Sequence, residues 1–189
     1  MLRDEVAPVV VDVDRAHRRP PAFHPVIRPE NAARPAAAMG VGTVMDKIHK
    51  IVYTGNMPDT ALSEPPADVR RVAPTALRAF ERLADAWELS NDERRRLLGD
   101  LPSSTYFKYR RAPEAARLNR DTLERISHLL GIFKSINVLL PRKESADAWI
   151  RRPNAASLFK GRSALDYILS GGFAALVDVR RYLDTQRGW

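Results

Sequence analysis

The four histidines are the side chains of this 189-residue sequence with the readiest acid–base and metal chemistry. His17, His24 and His49 lie in or beside a proline-rich first part, and His128 lies far from them in the chain. No pair has the His-x-x-x-His spacing by which one helix presents two ligands to a metal ion. His128 falls one position off the apolar face of its predicted helix, which favours a half-buried packing role over catalysis. The histidines therefore predict no metal site and no general base.

The small residues of the C-terminal part offer no catalytic alternative. Gly161 and the Gly171–Gly172 pair follow no predicted strand, so they do not fit a phosphate-binding loop. Ser163 has no base that could activate it and is better explained as a helix cap. The sequence has no cysteine, which excludes disulfides and thiolate metal sites. We therefore predict a protein that is not an enzyme, with no catalytic residue and no cofactor.

A predicted helix from Ser104 to about Arg111 combines hydroxyl and cationic side chains suited to nucleic acid. Hydroxyls reach base edges or phosphates in the major groove, while Lys and Arg neutralise the phosphate backbone. The candidate DNA-binding residues are Ser103, Ser104, Thr105, Lys108, Arg110 and Arg111. Ser103 is expected to cap the helix, and Phe107 to face inward and hold it against the preceding leucines. The alternatives are that these charges only solvate an outer face, or that this surface contacts a second copy or another protein.

The stretch from Trp149 to Gly172, WIRRPNAASLFKGRSALDYILSGG, places an aromatic residue, two arginines and a Pro-Asn break before a renewed apolar pattern. A catalytic loop, a nucleic-acid clamp and a protein-docking surface would each use such residues. The lack of an acid–base pair or a phosphate cradle removes the first of these. Trp149 is expected either to anchor the core or to contact a partner by its edge. Arg151 and Arg152 are expected to be exposed, one of them pairing weakly with Asp147.

These candidates are positioned by a series of predicted helices. Pro74 is placed in the first turn of a helix whose apolar stripe runs from Leu77 to Trp87. Ser90, with Glu93 three residues on, has the capping-box pattern of a short helix that Gly99 ends. A longer helix runs from its cap, Asn119, to Leu140, with Gly131 as a candidate kink. The remaining predicted helices run from Glu144 to Ile150, from Ser163 to Leu169 and from Phe173 to about Asp184. No convincing alternating strand follows Pro74, so the predicted fold class is mainly α.

The first 68 residues differ in composition from the rest, with nine of the fourteen prolines and nearly balanced charge. Proline removes a backbone donor and breaks helices, so an irregular extension is expected up to about Met39. Val41, Val44, Ile48 and Ile51 recur at helical spacing and predict a short amphipathic helix within residues 41–53, with a β-strand as the alternative.

Positive charge is concentrated after residue 68, where 23 basic side chains face 14 acidic ones in a chain of net charge +8. This excess favours a polyanionic partner such as DNA, and a solvated basic surface is the plainer alternative. The N-terminus carries acids where a secretory signal carries bases, and no apolar run reaches the ~18 residues of a membrane span. We expect a cytoplasmic protein that does not enter a membrane.

Four stretches after Pro74 resemble the Xre/MbcA/ParS family of antitoxins. They are LSNDERRRLLGDLPSSTYFKYRR, LNRDTLERISHLLGIFKSINVLLP, ADAWIRRPNAASLFKGRSALDYILSGG and VRRYLDTQRGW. The second and third are the most specific, because Trp-x-Arg-x-Pro-Asn and Gly-Arg-Ser follow the Leu-Leu-Gly-Ile run in the family's order and spacing. The link between Asn154 and Gly161 is longer than is usual in the family, and the N-terminal extension lies outside the resemblance.

The resemblance implies a helix-turn-helix-like bundle at residues 69–140 and a small helical toxin-binding domain at 141–189, after the extension at 1–68. Members of the family are encoded beside a RES-domain toxin, which resembles ADP-ribosyltransferases and degrades NAD or ADP-ribosylates a protein. The antitoxin covers the toxin's NAD pocket, commonly represses the shared operon by binding operator DNA, and is typically a homodimer. The chain is therefore expected to be such an antitoxin.

Carried onto this chain, the resemblance implies a set of toxin-binding residues in the docking stretch and the last helix. They are Trp149, Arg151, Arg152, Pro153, Asn154, Gly161, Arg162, Arg180, Arg181, Tyr182, Arg187 and Trp189. The basic and aromatic tail suits an NAD site, since arginine pairs with its acidic or phosphate-binding groups and an aromatic ring fills the space of a base. The alternative function is a stand-alone helix-turn-helix transcriptional regulator that uses the C-terminal domain for dimerisation. A structural adaptor would leave the basic surface unexplained.

Overall fold

The computed structural model describes residues 41–50 and 67–188, and within these ranges the chain is helical, which confirms the predicted class. The α-helices there are α1 (Val41–His49), α2 (Ala67–Ala86), α3 (Asn91–Leu97), α4 (Ser103–Arg111), α5 (Arg120–Leu139), α6 (Lys143–Trp149) and α7 (Ala164–Gln186). A short 3-10 turn, Pro113–Ala115, lies between α4 and α5. None of the helices in these ranges is long and apolar enough to cross a membrane. The arm predicted before Met39 and the terminal Trp189 lie outside the described residues.

The helix α5 forms the centre of the molecule, and α1, α2, α6 and α7 all pack against it. Its predicted apolar positions are buried, namely Leu123, Ile126, Leu130, Phe133 and Ile136. At the end of α2, the Trp87 ring lies 6.0 Å from the Phe133 ring, centroid to centroid. Burying one large apolar side chain stabilises a fold by about 1.5–3 kcal/mol. Because α5 buries all five of its predicted apolar positions against its neighbours, it is the element that fixes the positions of the other helices.

The amphipathic run near Val41 is an α-helix rather than a strand. Val44 and Ile48 are buried against α2 and α5, as the spacing of the apolar residues required. The helix ends at His49, and residues 51–53 of the predicted span lie outside the described residues.

The start of α2 differs from the prediction, because the helix begins at Ala67 and Pro74 lies inside it. An internal proline costs a backbone hydrogen bond and clashes with the preceding turn. Val72 and Ala73, just before it, are buried in the core. Their burial offsets that cost, so tertiary packing extends the helix beyond the point at which the local signal would begin it.

The helices α3 and α4 form a helix-turn-helix pair. Ser90 and Glu93 make the predicted capping box at α3, and Gly99 follows the helix with a φ of +94°, a left-handed conformation that favours glycine. The prediction that Ser103 caps α4 is wrong. The Pro102 carbonyl already accepts the Tyr106 N–H at 2.9 Å, so Ser103 is the first residue of the helix.

The helices α5 and α7 cross closely at Gly131. Asn119 caps α5 as predicted, accepting the Thr122 N–H at 2.8 Å. The helix continues through Gly131 to Leu139, so the candidate kink is not there. A Cβ atom at position 131 would overlap the Arg180 guanidinium of α7. Glycine at this position therefore admits a side chain from the neighbouring helix.

The bend of the C-terminal half lies in α7 instead. Ser163 caps α7 by accepting the Asp166 N–H at 3.0 Å, which confirms its structural role. Gly172 has φ 64° and ψ −141°, outside the helical region, and separates the two halves of the helix. Only glycine adopts such angles without strain.

Candidate functional site

The outward surface of α4 is defined by Ser104, Phe107, Lys108 and Arg111, which recur at the i, i+3, i+4, i+7 spacing of one helix face. All four are exposed. We call this set the outer face of α4. The helix contains no acidic residue, and its last turn carries three cations. The outer face therefore has the shape and charge of a helix that enters a DNA major groove.

The inward anchor of α4 is Tyr106, not Phe107, so the sequence prediction chose the wrong aromatic residue. Phe107 is 37% exposed, whereas Tyr106 is fully buried. The Tyr106 hydroxyl donates to a Glu81 carboxylate oxygen at 3.4 Å. Burial and this carboxylate together raise the pKa of Tyr106 to about 12. A phenylalanine could not donate a hydrogen bond to this partly buried carboxylate, which explains why the tyrosine and not Phe107 faces inward.

The orientation of α3 against α2 depends on a buried arginine that sequence reasoning missed. Arg94 donates to Glu81 and to Asp85 at 2.7 Å each, and to the Leu89 carbonyl at 2.9 Å. Burial alone would lower the pKa of Arg94, and the two carboxylates raise it instead. The available signal was its position, three residues before the buried Leu97 on the inward side of a short helix.

Arg110 is turned back toward the domain and differs in this from the other α4 cations. Its guanidinium donates to the Asn91 amide oxygen at 3.2 Å and lies 3.7 Å from Glu81. Thr105 is half-buried, and Ser103 is exposed at the start of the helix. Of the six candidate DNA-binding residues, Arg110 and Thr105 are therefore the least free to reach a ligand.

The segment from 151 to 163, called here the docking loop, is a closed structure held by Asn154. The Asn154 N–H donates to the Arg162 carbonyl, and the Asn154 carbonyl accepts the Gly161 N–H, both at 3.0 Å. Its side-chain oxygen accepts the Ala156 N–H at 2.9 Å, an Asx turn. Pro153 and Ser163 form an isolated antiparallel bridge at the base of the loop. Asn154 is buried, so its role in the geometry is to shape the loop.

An aromatic cluster of Trp149, Phe159, Tyr167 and Tyr182 supports the docking loop. The fully buried Phe159 ring lies edge-on to the other three at 6.0, 5.8 and 5.2 Å respectively. Trp149 is only 7% exposed, which confirms the core-anchor alternative for this residue. Burial raises the pKa of Tyr182 despite a hydrogen bond with Asn154 that lowers it. Sequence reasoning missed Phe159, which lies in the part of the loop that is longer than usual.

Arg151 connects the docking loop to the helix-turn-helix. Its guanidinium donates to the Trp87 carbonyl at 2.9 Å, to the Glu88 carbonyl at 2.8 Å, and to both oxygens of Glu93 at 2.8 and 3.1 Å. We call this set of bonds the arginine bridge. The expected pairing with Asp147 is wrong for Arg151, and Asp147 pairs with Lys143 instead. Burial would raise the pKa of Glu93, but hydrogen bonds from Arg151 and Ser90 lower it.

Two further arginines join the same parts of the molecule. Arg96 of α3 donates to the Leu169 carbonyl of α7 at 2.8 Å. Arg125 of α5 lies over the Phe173 ring of α7, with its guanidinium carbon 5.4 Å from the ring centroid. These contacts and the arginine bridge hold the helix-turn-helix and the C-terminal helices together.

The basic residues of α7 lie partly against α5. Arg180 donates to Asp184 at 2.7 Å, and Arg187 donates to the Ser135 hydroxyl at 3.3 Å. His128 is half-buried, as predicted, and its ring lies 5.5 Å from that of Phe173. Burial, and after it the charge of Arg180, lowers the pKa of His128.

The remaining toxin-binding candidates are exposed, and we call them the exposed rim. Four lie on the docking loop, namely Arg152, Pro153, Gly161 and Arg162, and Arg181 lies on the second half of α7. Arg162 lies over the Tyr167 ring at 5.2 Å and donates to the Ser170 hydroxyl at 3.1 Å, so its guanidinium is held in place while staying accessible. The structure therefore divides the predicted set into buried or bridging residues that hold the loop and exposed residues that can contact a partner.

Comparison with known proteins assigns both parts of this architecture. Residues 69–131 match the antitoxin Xre-like helix-turn-helix domain, and residues 136–188 match the antitoxin Xre/MbcA/ParS C-terminal toxin-binding domain. The chain is 48% identical over 126 residues to the uncharacterized protein y4oB of Sinorhizobium fredii, covering 67% of this chain and 94% of that relative. No solved structure matches significantly. The first match contains α3 and α4 and the second contains the docking loop, and the chain belongs to the Xre/MbcA/ParS family of antitoxins.

Proposed function

We propose that this antitoxin neutralises a RES-domain toxin by covering the entrance to the toxin's NAD pocket. The observation that carries the proposal is the match to the toxin-binding domain over residues 136–188, the part that contains the docking loop. In support, hydrogen bonds of Asn154 close the loop and the aromatic cluster packs against it within this chain alone. A preorganised surface loses little conformational freedom on binding, which favours affinity.

The contact residues of the proposed complex are the exposed rim and the C-terminal end of α7. Arg162 and Arg181 present cations at the surface, and arginine suits the acidic groups of a partner's nucleotide site. Four other candidates support the contact surface without touching the toxin, because they hold the docking loop in place. They are Trp149, Arg151, Asn154 and Tyr182. Like its family, the protein would act by binding and would catalyse no reaction of its own.

The second part of the proposal is that the helix-turn-helix binds operator DNA and represses the antitoxin's own operon. Its support is the match to the Xre-like domain and the cationic outer face of α4. Family members typically act as homodimers, and a two-fold protein would recognise two half-sites one helical turn apart. We place both activities in the cytoplasm, where DNA and NAD are found together.

The decisive experiment is co-expression with a RES-domain protein encoded beside the antitoxin gene. We expect the two proteins to co-purify and cellular NAD or growth to be restored to the level seen without toxin. The Arg162→Glu/Arg181→Glu variant should lose this protection, while Arg111→Glu, a matched charge change on α4, should keep it. A RES protein that remains toxic and unbound beside folded antitoxin would refute the neutralisation proposal.

A further inference from the structure

Phe107 is a large apolar side chain exposed at the centre of a cationic helix. Among the described residues it is the one large hydrophobic side chain classed as exposed. Its ring centroid lies 5.4 Å from that of Tyr106, and the residue is 37% exposed. On the outer face of α4 it has Ser104 on the N-terminal side, and Lys108 and Arg111 on the C-terminal side. An exposed ring with no apolar neighbour on its own face needs a partner that is apolar at one point and anionic around it.

A protein partner fits this pattern poorly. Protein interfaces have an apolar core with charged residues depleted at the centre. The outer face of α4 has one ring and two cations directly beside it. A two-fold contact between copies across this face would bury Lys108 and Arg111 of both copies, and α4 has no acidic residue to pair with them, which disfavours such a contact.

A DNA major groove fits the pattern at each point. Its edges expose one apolar group, the C5-methyl group of thymine, and phosphates line both sides. The N-terminal residues of a recognition helix contact base edges in the major groove, and lysine and arginine side chains contact the phosphates on either side. Phe107 is the fifth of the nine residues of α4. We propose that Phe107 is a specificity-determining residue that contacts a thymine methyl group, an inference that rests on the proposed DNA binding.

The test uses the full chain and a library of duplexes with a randomised central sequence. Duplexes that the wild type retains are sequenced, and each conserved thymine is replaced in turn by deoxyuridine, which removes only the methyl group. We expect at least one replacement to weaken wild-type binding about fourfold, the effect of one buried methyl group. The Phe107→Ala variant should bind the thymine and deoxyuridine duplexes equally well.

Two further variants make the result specific to the ring. Phe107→Leu should keep part of the thymine preference, because it retains an apolar side chain. Lys108→Gln should weaken binding to all duplexes alike and keep the full preference, because a phosphate contact carries no sequence information. Thermal unfolding should show that each variant is folded, and Phe107→Ala should be only slightly less stable than the wild type, because it loses the contact with Tyr106.

The possible failures are distinguishable. Salt-sensitive binding of the wild type with no thymine whose methyl group matters would overturn the role of Phe107 and leave DNA binding intact. Binding to no duplex at low salt would overturn both proposals. A Phe107→Ala protein whose oligomeric state changes in light scattering, while its thymine preference stays, would identify the ring as a protein contact and overturn the inference.

Discussion

At the scale of single residues, Arg151 of the docking loop has a structural role that the sequence does not reveal. The sequence predicted an exposed arginine, and the structure shows that its guanidinium forms the arginine bridge. Four hydrogen bonds from one guanidinium join the docking loop to the start of the helix-turn-helix. Two of its acceptors are the backbone carbonyls of Trp87 and Glu88, in the turn that follows α2. Its loss would disturb both domains, although it contacts neither proposed ligand.

We predict that Arg151→Ala lowers the free energy of unfolding by about 1–2 kcal/mol, a value reduced for the partial exposure of the pair. Urea titration followed by circular dichroism measures it. Arg111→Ala, an exposed arginine on α4, should change stability by less than about 0.5 kcal/mol and serves as the control. Equal stability of the Arg151 variant and the wild type would show that the bridge contributes nothing in solution.

The same bridge predicts a pH dependence. The pKa of Glu93 is lower in the folded protein than its ordinary value of 4.5, so its ionised form stabilises the fold. This contribution is fully present above pH 4.5 and is lost as the pH falls through the lowered pKa. The Glu93→Gln variant should therefore be less stable than the wild type at pH 7, and the gap should close at acid pH. A gap that stays constant from pH 7 down to pH 3 would contradict the assignment.

Residue roles were less predictable from the sequence than residue positions. The caps at Ser90, Asn119 and Ser163 were predicted correctly because each depends on side chains within three residues. The roles of Arg151 and Phe107 were not, since each depends on contacts between segments distant in the chain. Apolar character alone suggested an inward Phe107, and the partner that draws Tyr106 inward, Glu81, lies 25 residues away.

At the scale of elements, the bend in α7 determines where the proposed toxin-binding end of the molecule lies. Gly172 separates a first half that carries Tyr167 from a second half that carries Arg181 and Tyr182. Local patterning predicted two separate helical segments here, and the break between them was found. The sequence did not predict the first residue of α2 correctly, because the burial of Val72 and Ala73 outweighs the local signal of Pro74.

We predict that Gly172→Ala weakens toxin binding more than it weakens the fold. A side chain at φ 64°, ψ −141° costs about 1–3 kcal/mol, and the chain can relieve that strain by straightening α7. The rim and the C-terminal half of α7 would then no longer lie in the same arrangement. Affinity for the cognate RES protein, measured by calorimetry, should fall at least tenfold. Ala174→Ser, an exposed change of similar size, should leave affinity unchanged, and a Gly172→Ala protein with wild-type affinity would refute the positional role.

For α4, we predict that Lys108→Gln/Arg111→Gln reduces the slope of log affinity for DNA against log salt by about 0.9 for each lost phosphate contact, or about 2 in total. Fluorescence anisotropy with a selected duplex at several salt concentrations gives the slope. Arg110→Gln is the comparison variant, since its guanidinium already faces Asn91 and Glu81. It should change the slope less, and a larger effect from Arg110 would show that the helix re-orients on DNA.

At the scale of the whole molecule, the surfaces proposed to bind toxin and DNA belong to one connected body. The matched ranges meet within α5, and Arg96, Arg125 and Arg151 cross between their helices. The order of the helices and the class of the fold followed from the sequence, because periodicity and caps are local properties. The connection between the two matched domains could not be predicted from the sequence, because it consists of arginine contacts between segments that are far apart in the chain.

The C-terminal tail provides the last prediction, a separation of the two functions. Deleting residues 186–189 removes Arg187, whose guanidinium meets Ser135 of α5, together with the terminal Trp189. Toxin activity should be released, since the tail is proposed to enter the NAD site, while DNA affinity stays within twofold because α4 is untouched. The Arg187→Gln variant removes the contact with Ser135 but keeps Trp189, so it separates the effect of the lost contact from that of the lost tail. The Lys108→Gln/Arg111→Gln variant should show the reverse behaviour, with DNA binding weakened and neutralisation kept. Undiminished inhibition by the truncated protein would exclude the tail from the toxin contact. Loss of both activities in either variant would mean that the change had damaged the whole fold and not a single surface.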